Sequence, residues 1–132
     1  MGLIYLDSCL LIYLVERHPT PGEAVAAAMA QTKEAQFGVS PLVKCECLVG
    51  VLRRGDAVLL QAYTELFGKF VSLDMPEPVY IRAAEPRAQF GLRTPDALHL
   101  ACAEHHHCEE LWTNDDRLTQ AAPSFARRIA AS

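Results

Sequence analysis

Four acidic positions in the chain sit where an unpaired carboxylate is costly. Asp7 ends one apolar run, Leu3 to Leu6, and precedes another, Leu10 to Leu14, so its carboxylate lies near a core unless something satisfies it. Glu46 lies in the stretch 42–52, more than a turn inside the helix that Ser40 and Pro41 open, where capping cannot explain it. Lys44 is not at an i, i+4 spacing to pair with it. Asp96 follows Thr94 and Pro95 and opens a segment, 97–103, that is apolar almost all round and so reads as buried. Asp115 and Asp116 follow Trp112, Thr113 and Asn114 at the end of a further apolar run. Singly, each has an ordinary reading: a helix cap for Asp7, a narrow polar stripe for Glu46, a partner of the helix dipole for Asp96, loop solvation for the Asp115 pair.

Their conjunction says more. If the chain brings them to one crevice, each carboxylate pair repels by roughly 3 kcal/mol at ~6 Å and an effective dielectric of ~20. A divalent cation removes that repulsion. Oxygen ligands suit Mg²⁺ or Mn²⁺ rather than zinc, and such ions activate water and stabilise charge in phosphodiester cleavage.

The elements that would position these residues follow from local signals. The sequence predicts a strand at 3–6, a helix at 9–16, an Ala-rich helix at 22–35 and a second strand at 36–39. Ser40 and Pro41 should start a helix that Gly55 stops near Arg54, and Asp56 should cap the next, 58–70. A third strand at 71–73 precedes a helix at 77–91, which Pro86 should kink or end early. Thr94, as cap, and Pro95 should open a helix through His107, followed by a strand at 110–113, a helical turn near Leu118 and an edge strand from Phe125. Alternating strands and helices imply a parallel sheet covered on both faces, in which sites form at the carboxyl ends of strands.

Composition narrows the function classes. The 132 residues fill one domain, and 51% hydrophobic against 21% charged residues excludes a disordered chain. Twelve Lys and Arg against sixteen Asp and Glu give a net charge of -4, which argues against a generic polybasic nucleic-acid binder. Any nucleic-acid contact then falls to local arginines, with Arg17, Arg93 and Arg117 the candidates nearest the acids in sequence. Five cysteines, odd in number and without a Cys-x-x-Cys pair, read as reduced thiols in a cytoplasmic protein, and no stretch reads as a signal peptide or membrane anchor.

With these pieces in order, Ile4 to Ser8, Ser40 with Glu46 six residues on, Arg93 to Ala101, and Thr113 to Asp115, the sequence resembles the PIN-domain family, specifically the small VapC-type ribonuclease toxins of toxin-antitoxin pairs. The resemblance covers nearly the whole chain and implies a single PIN domain over 1–132. Its fold would be α/β and PIN-like, three layers with a central, mostly parallel sheet of four to five short strands and helices on both faces. It implies a metal-dependent endoribonuclease with Asp7, Glu46, Asp96 and Asp115 as the acids, of which Asp7, Asp96 and Asp115 hold Mg²⁺ or Mn²⁺. Ser8, Thr113 and Asp116 support them, and Asp116 could share or replace the role of Asp115. The implied partners are RNA and a cognate VapB-type antitoxin, in a homodimer that becomes a heterotetramer or larger assembly. Clustered carboxylates also accept a guanidinium, so the antitoxin should insert an arginine among them and anchor a helix on the apolar helices of 22–35 and 41–70. Cys9 departs from the family, which commonly has Asn or Ser there, and so does Pro86.

Four other readings compete. His105, His106 and His107, bracketed by Cys102 and Cys108, have zinc-ligand types but no zinc-ligand spacing. His99 reads as a packed, hydrogen-bonded histidine rather than a catalytic base. A receiver-like signalling domain shares the length and acidic pocket but normally carries a late lysine, and the last lysine here is Lys69. A catalytically silent PIN-like interaction module would lack a reason to keep four acids.

Overall fold

The structure, a computed structural model, describes residues 2–130. Five strands, β1 (Leu3–Leu6), β2 (Gln36–Val39), β3 (Val71–Ser72), β4 (Glu110–Thr113) and β5 (Ala126–Arg128), form one sheet in the order β3-β2-β1-β4-β5. Every neighbouring pair is parallel. Ile4, Tyr5 and Leu6 are all buried, as are Leu111, Trp112 and Thr113. Successive strand residues point to opposite faces, so helices must cover both sides of the central pair, which gives the expected three layers.

The helices are α1 (Ser8–Val15), α2 (Pro19–Gln31), α3 (Pro41–Arg54), α4 (Ala57–Phe67), α5 (Glu77–Phe90), α6 (Thr94–His105) and α7 (Asp116–Ala121). Several boundaries follow their local chemistry. Ser40 Oγ accepts the Val43 N–H at 3.2 Å and Asp56 Oδ1 accepts the Leu59 N–H at 3.0 Å, so both residues cap as expected. Gly55, at φ 64°, supplies the left-handed residue that ends α3.

Other boundaries differ. α2 begins at Pro19 rather than Gly22, because proline at the first helical position needs no N–H partner and is already set for helix. It ends at Gln31, where the Thr32 hydroxyl turns back to the Ala28 carbonyl at 2.7 Å. α5 runs unbroken through Pro86 to Phe90. The proline removes a single N–H, and its ring continues the buried stripe of Val79 and Ala83 that packs towards α6. Arg93, not Thr94, is the cap of α6, since the first helical bond runs from the Ala97 N–H to the Arg93 carbonyl at 3.0 Å. No helix is long and apolar enough to cross a membrane among the described residues.

Candidate active site

Strand register builds the site. Leu6 lies opposite Trp112, and the Asp7 N–H continues the ladder to the Trp112 carbonyl at 3.0 Å, so Asp7 and Thr113 leave the sheet side by side. This is the point at which the strand order reverses, where parallel sheets open a crevice. Thr113 Oγ1 donates to Asp7 Oδ2 at 2.7 Å and accepts the Asp115 N–H at 3.0 Å. Asp7 Oδ1 accepts the Ser8 N–H at 2.7 Å, so the capping reading of Asp7 also holds, with the residue 7% exposed.

α3 and α6 bring the remaining groups. Glu46 Oε1 accepts from Ser8 Oγ at 3.0 Å and lies 2.7 Å from His99 Nε2. The same imidazole nitrogen is 3.5 Å from Asp7 Oδ1. Asp96, buried in the first turn of α6, accepts from Arg93 Nε at 3.1 Å while the Arg93 side chain stays largely exposed. Asp115 caps α7 by accepting the Arg117 N–H at 2.8 Å, and its charge reaches both Asp96 and Arg93. The neighbouring Asp116 is ion-paired to Arg128 instead. Arg17 lies beyond the carboxyl end of α1, whose eight residues put about 12 Å of helix between it and Asp7.

Electrostatics marks the same cluster. Burial, with the charges of Asp115 and Asp7, holds the Asp96 carboxyl above its ordinary range even though the Arg93 hydrogen bond opposes it. Burial also pushes Glu46 up, but hydrogen bonds from His99 and Ser8 and the charge of Arg93 outweigh it and keep this carboxyl below the usual value. For His99, burial pulls the imidazole down, and the Glu46 bond with the charges of Asp7, Glu46 and Asp96 more than offsets it.

Sequence reasoning singled out Asp7, Glu46, Asp96, Asp115, Ser8 and Thr113, and these converge. It read His99 as a packed, hydrogen-bonded histidine rather than a catalytic base. The residue is indeed buried and hydrogen-bonded, but its partner is Glu46, so it lines the cluster; the apolar neighbours that suggested burial carried no signal of that contact. Asp7, Glu46 and His99 present ligand atoms within 4.8 Å of one another. His99 Nε2 is engaged by Glu46 at 2.7 Å, so the donors left for an ion are carboxylate oxygens, and Asp96, raised by burial and then by the charges of Asp115 and Asp7, adds another beside them; the residues fit a divalent cation. Of the histidine run, His106 Nε2 is taken up by Asp74, at 2.7 Å from its carbonyl oxygen and 3.2 Å from its Oδ1.

The model of the PIN domain family matches residues 4–123. The chain belongs to the PIN domain family. Several solved structures share the fold of this PIN domain. A chain of a toxin-antitoxin complex from Klebsiella pneumoniae superposes with a TM-score of 0.77 at 21% identity, over 94% of this chain and 96% of that one. A chain of VapBC2 from Rickettsia felis, bound to a DNA fragment from its promoter, gives 0.78 at 16% identity, over 96% and 98%. VapC20 from Mycobacterium tuberculosis, a toxin that cleaves the sarcin-ricin loop, gives 0.75 at 14% identity, over 90% and 95%. A search of curated proteins finds none that matches this PIN domain.

Proposed function

We propose that the chain is a metal-dependent endoribonuclease, the toxin of a type II toxin-antitoxin pair, working as a single PIN domain over residues 1–132, of which 1, 131 and 132 lie outside the described residues. The observation that carries this reading is the convergence of Asp7, Glu46, Asp96 and Asp115 at the strand-order reversal of a PIN fold. The competing receiver-like reading loses support from the strand order β3-β2-β1-β4-β5, which is not the 2-1-3-4-5 order of flavodoxin-like sheets.

Asp7, Asp96 and Asp115 would hold Mg²⁺ or Mn²⁺, which supplies a Lewis acid for charge developing on a phosphoryl oxygen. Thr113 and Ser8 orient Asp7 and Glu46 by the hydrogen bonds described. Glu46, kept ionised, accepts the proton lost by a water attacking phosphorus in line. The P–O3′ bond breaks, the 3′ oxygen takes a proton from solvent, and the products carry a 5′-phosphate and a 3′-hydroxyl. Arg93, beside Asp96 and exposed, meets a phosphate at the rim, with Arg117 on the first turn of α7 and Arg17 as further contacts.

The proposed partner is a VapB-type antitoxin that inserts an arginine among the carboxylates and competes with Mg²⁺, in a homodimer that becomes a heterotetramer or larger assembly. Exposed Val49, Leu52 and Val58, on α3 and α4, offer it an apolar surface, and five free cysteines fit a cytoplasmic protein. The test is cleavage of end-labelled RNA by the purified chain with Mg²⁺ or Mn²⁺, in EDTA, and with Asp7→Asn, Asp96→Asn, Asp115→Asn and Glu46→Gln. Cleavage that persists in EDTA, or full activity in the three Asp variants, would overturn the reading.

A further inference from the structure

Tyr5, Ser40 and His99 form a polar chain inside the core that the nuclease reading does not use. All three are buried, with Tyr5 and Ser40 fully enclosed and His99 1% exposed. Tyr5 Oη lies 2.7 Å from Ser40 Oγ and 2.7 Å from His99 Nδ1, and His99 Nε2 lies 2.7 Å from Glu46 Oε1. The chain crosses from β1 through the residue after β2 to α6, and it ends on α3 at Glu46, its one partly solvent-exposed member.

We propose that Tyr5 and His99 are positioning residues: the buried chain keeps a proton on His99 Nε2, aimed at Glu46 Oε1, and so fixes the Glu46 carboxylate beside Asp7 before any cation arrives. Ser40 Oγ accepts the Val43 N–H, which leaves its own hydrogen for the Tyr5 oxygen. The Tyr5 hydroxyl is then free to donate to Nδ1. In a neutral ring this occupies the Nδ1 lone pair and forces the ring proton onto Nε2. In a charged ring both nitrogens carry protons and the hydroxyl chain reverses. Nε2 is a donor in either state.

Glu46 needs such a donor. Its side chain has three rotatable bonds and lies next to another carboxylate that repels it. Two groups counter that repulsion by facing both acids at once: Ser8 Oγ, 3.0 Å from Glu46 and 3.4 Å from Asp7, and His99 Nε2, 2.7 Å and 3.5 Å away. Held this way, the acid pair is organised at no cost when the cation binds, as partners behind a ligand commonly achieve.

The proposal rests on the nuclease reading only for its activity measurement, so the two can fail separately. Gln at position 99 keeps an N–H where Nε2 stands, whereas Asn reaches only the Nδ1 position, with comparable polarity and burial. Mn²⁺ affinity of the purified chain, read by calorimetry or spin resonance without RNA, should fall about tenfold for His99→Asn and Tyr5→Phe and by less than about twofold for His99→Gln, although Gln and Asn lower Tm alike. If the chain cleaves RNA, kcat should follow the same order with KM for RNA unchanged. On the wild-type chain, ¹⁵N spectra of the histidine rings, with His99 identified by its loss in His99→Gln, should show a proton on Nε2. Equal Mn²⁺ affinities for the Gln and Asn variants, or a ring protonated on Nδ1 alone, would overturn the proposal; absence of RNA cleavage would overturn only the nuclease reading.

Discussion

Thr113 and Asp7 share a 2.7 Å hydrogen bond that ties the carboxyl ends of the two central strands together. The hydroxyl has a second duty, accepting the Asp115 N–H, so one fully buried oxygen sets two of the proposed acids. Thr113→Val keeps the shape and removes both bonds, leaving a buried carboxylate oxygen and an N–H without partners. The expected cost is about 1–3 kcal/mol in urea unfolding, with RNA cleavage down by tenfold or more, and Thr113→Ser should recover most of both. Wild-type cleavage by the Val variant would show that the hydroxyl serves stability alone.

Asp96 should be destabilising when no cation is present. Its folded-state carboxyl is held above the ordinary range by burial and by Asp115 and Asp7, so ionising it costs stability. The sign follows directly. At a pH below the ordinary Asp value the group is protonated whether folded or unfolded and the cost is absent; it appears as pH rises through that value and the raised folded one. At pH 7 in EDTA, Asp96→Asn should therefore raise Tm, because the exposed partner Arg93 contributes little to stability. Mg²⁺ should raise the Tm of the wild type and leave that of this variant unchanged, since a ligand stabilises only what binds it. Scanning calorimetry with and without Mg²⁺ reads both effects.

The three candidate arginines should separate by position. Arg93 touches Asp96, Arg117 stands on the first turn of α7, and Arg17 is a helix length away from Asp7. The slope of RNA affinity against salt should flatten most for Arg93→Ala, less for Arg117→Ala and least for Arg17→Ala. A slope unchanged from wild type in all three variants would reject these arginines as RNA contacts.

Why some of this was legible in the sequence and some was not has a physical basis. Asp7, Asp96 and Asp115 are acids at strand ends and helix starts, and those junctions are marked by short-range signals such as Pro95 beside Asp96. The strand pattern likewise foretold the sheet, because Val39, Leu6 and Trp112 lie in short β-prone runs. His99 was different. Its role depends on Tyr5, Ser40 and Glu46, which are 94, 59 and 53 residues away in sequence, and no local pattern encodes that meeting. Pro86 misled for the opposite reason: intrinsic propensity argued for a break, and packing of the Val79, Ala83 and Pro86 stripe overrode it.

Thiol chemistry offers a check on the core. Burial pushes the thiols of Cys9, Cys47 and Cys102 up to about 12 and that of Cys108 up to about 11, whereas Cys45 is exposed. A thiol reagent at pH 8 should modify one cysteine rapidly in the folded chain and all five in denaturant, and Cys45→Ser should abolish the rapid reaction. Mass spectrometry finding early modification at Cys9 or Cys47 would contradict the packing around the acids.

The place of β4 in the sheet also bears on biosynthesis. A ribosome releases β1 with Asp7 early, but its neighbour β4 carries residues 110–113, and Asp115 follows still later. Until residues 110–113 emerge the centre of the sheet lacks a strand, and the early acid has neither its Thr113 donor nor its late carboxylate neighbour. The proposed cation site therefore cannot assemble on the emerging chain until residues 110–115 have been synthesised and β4 has inserted beside β1.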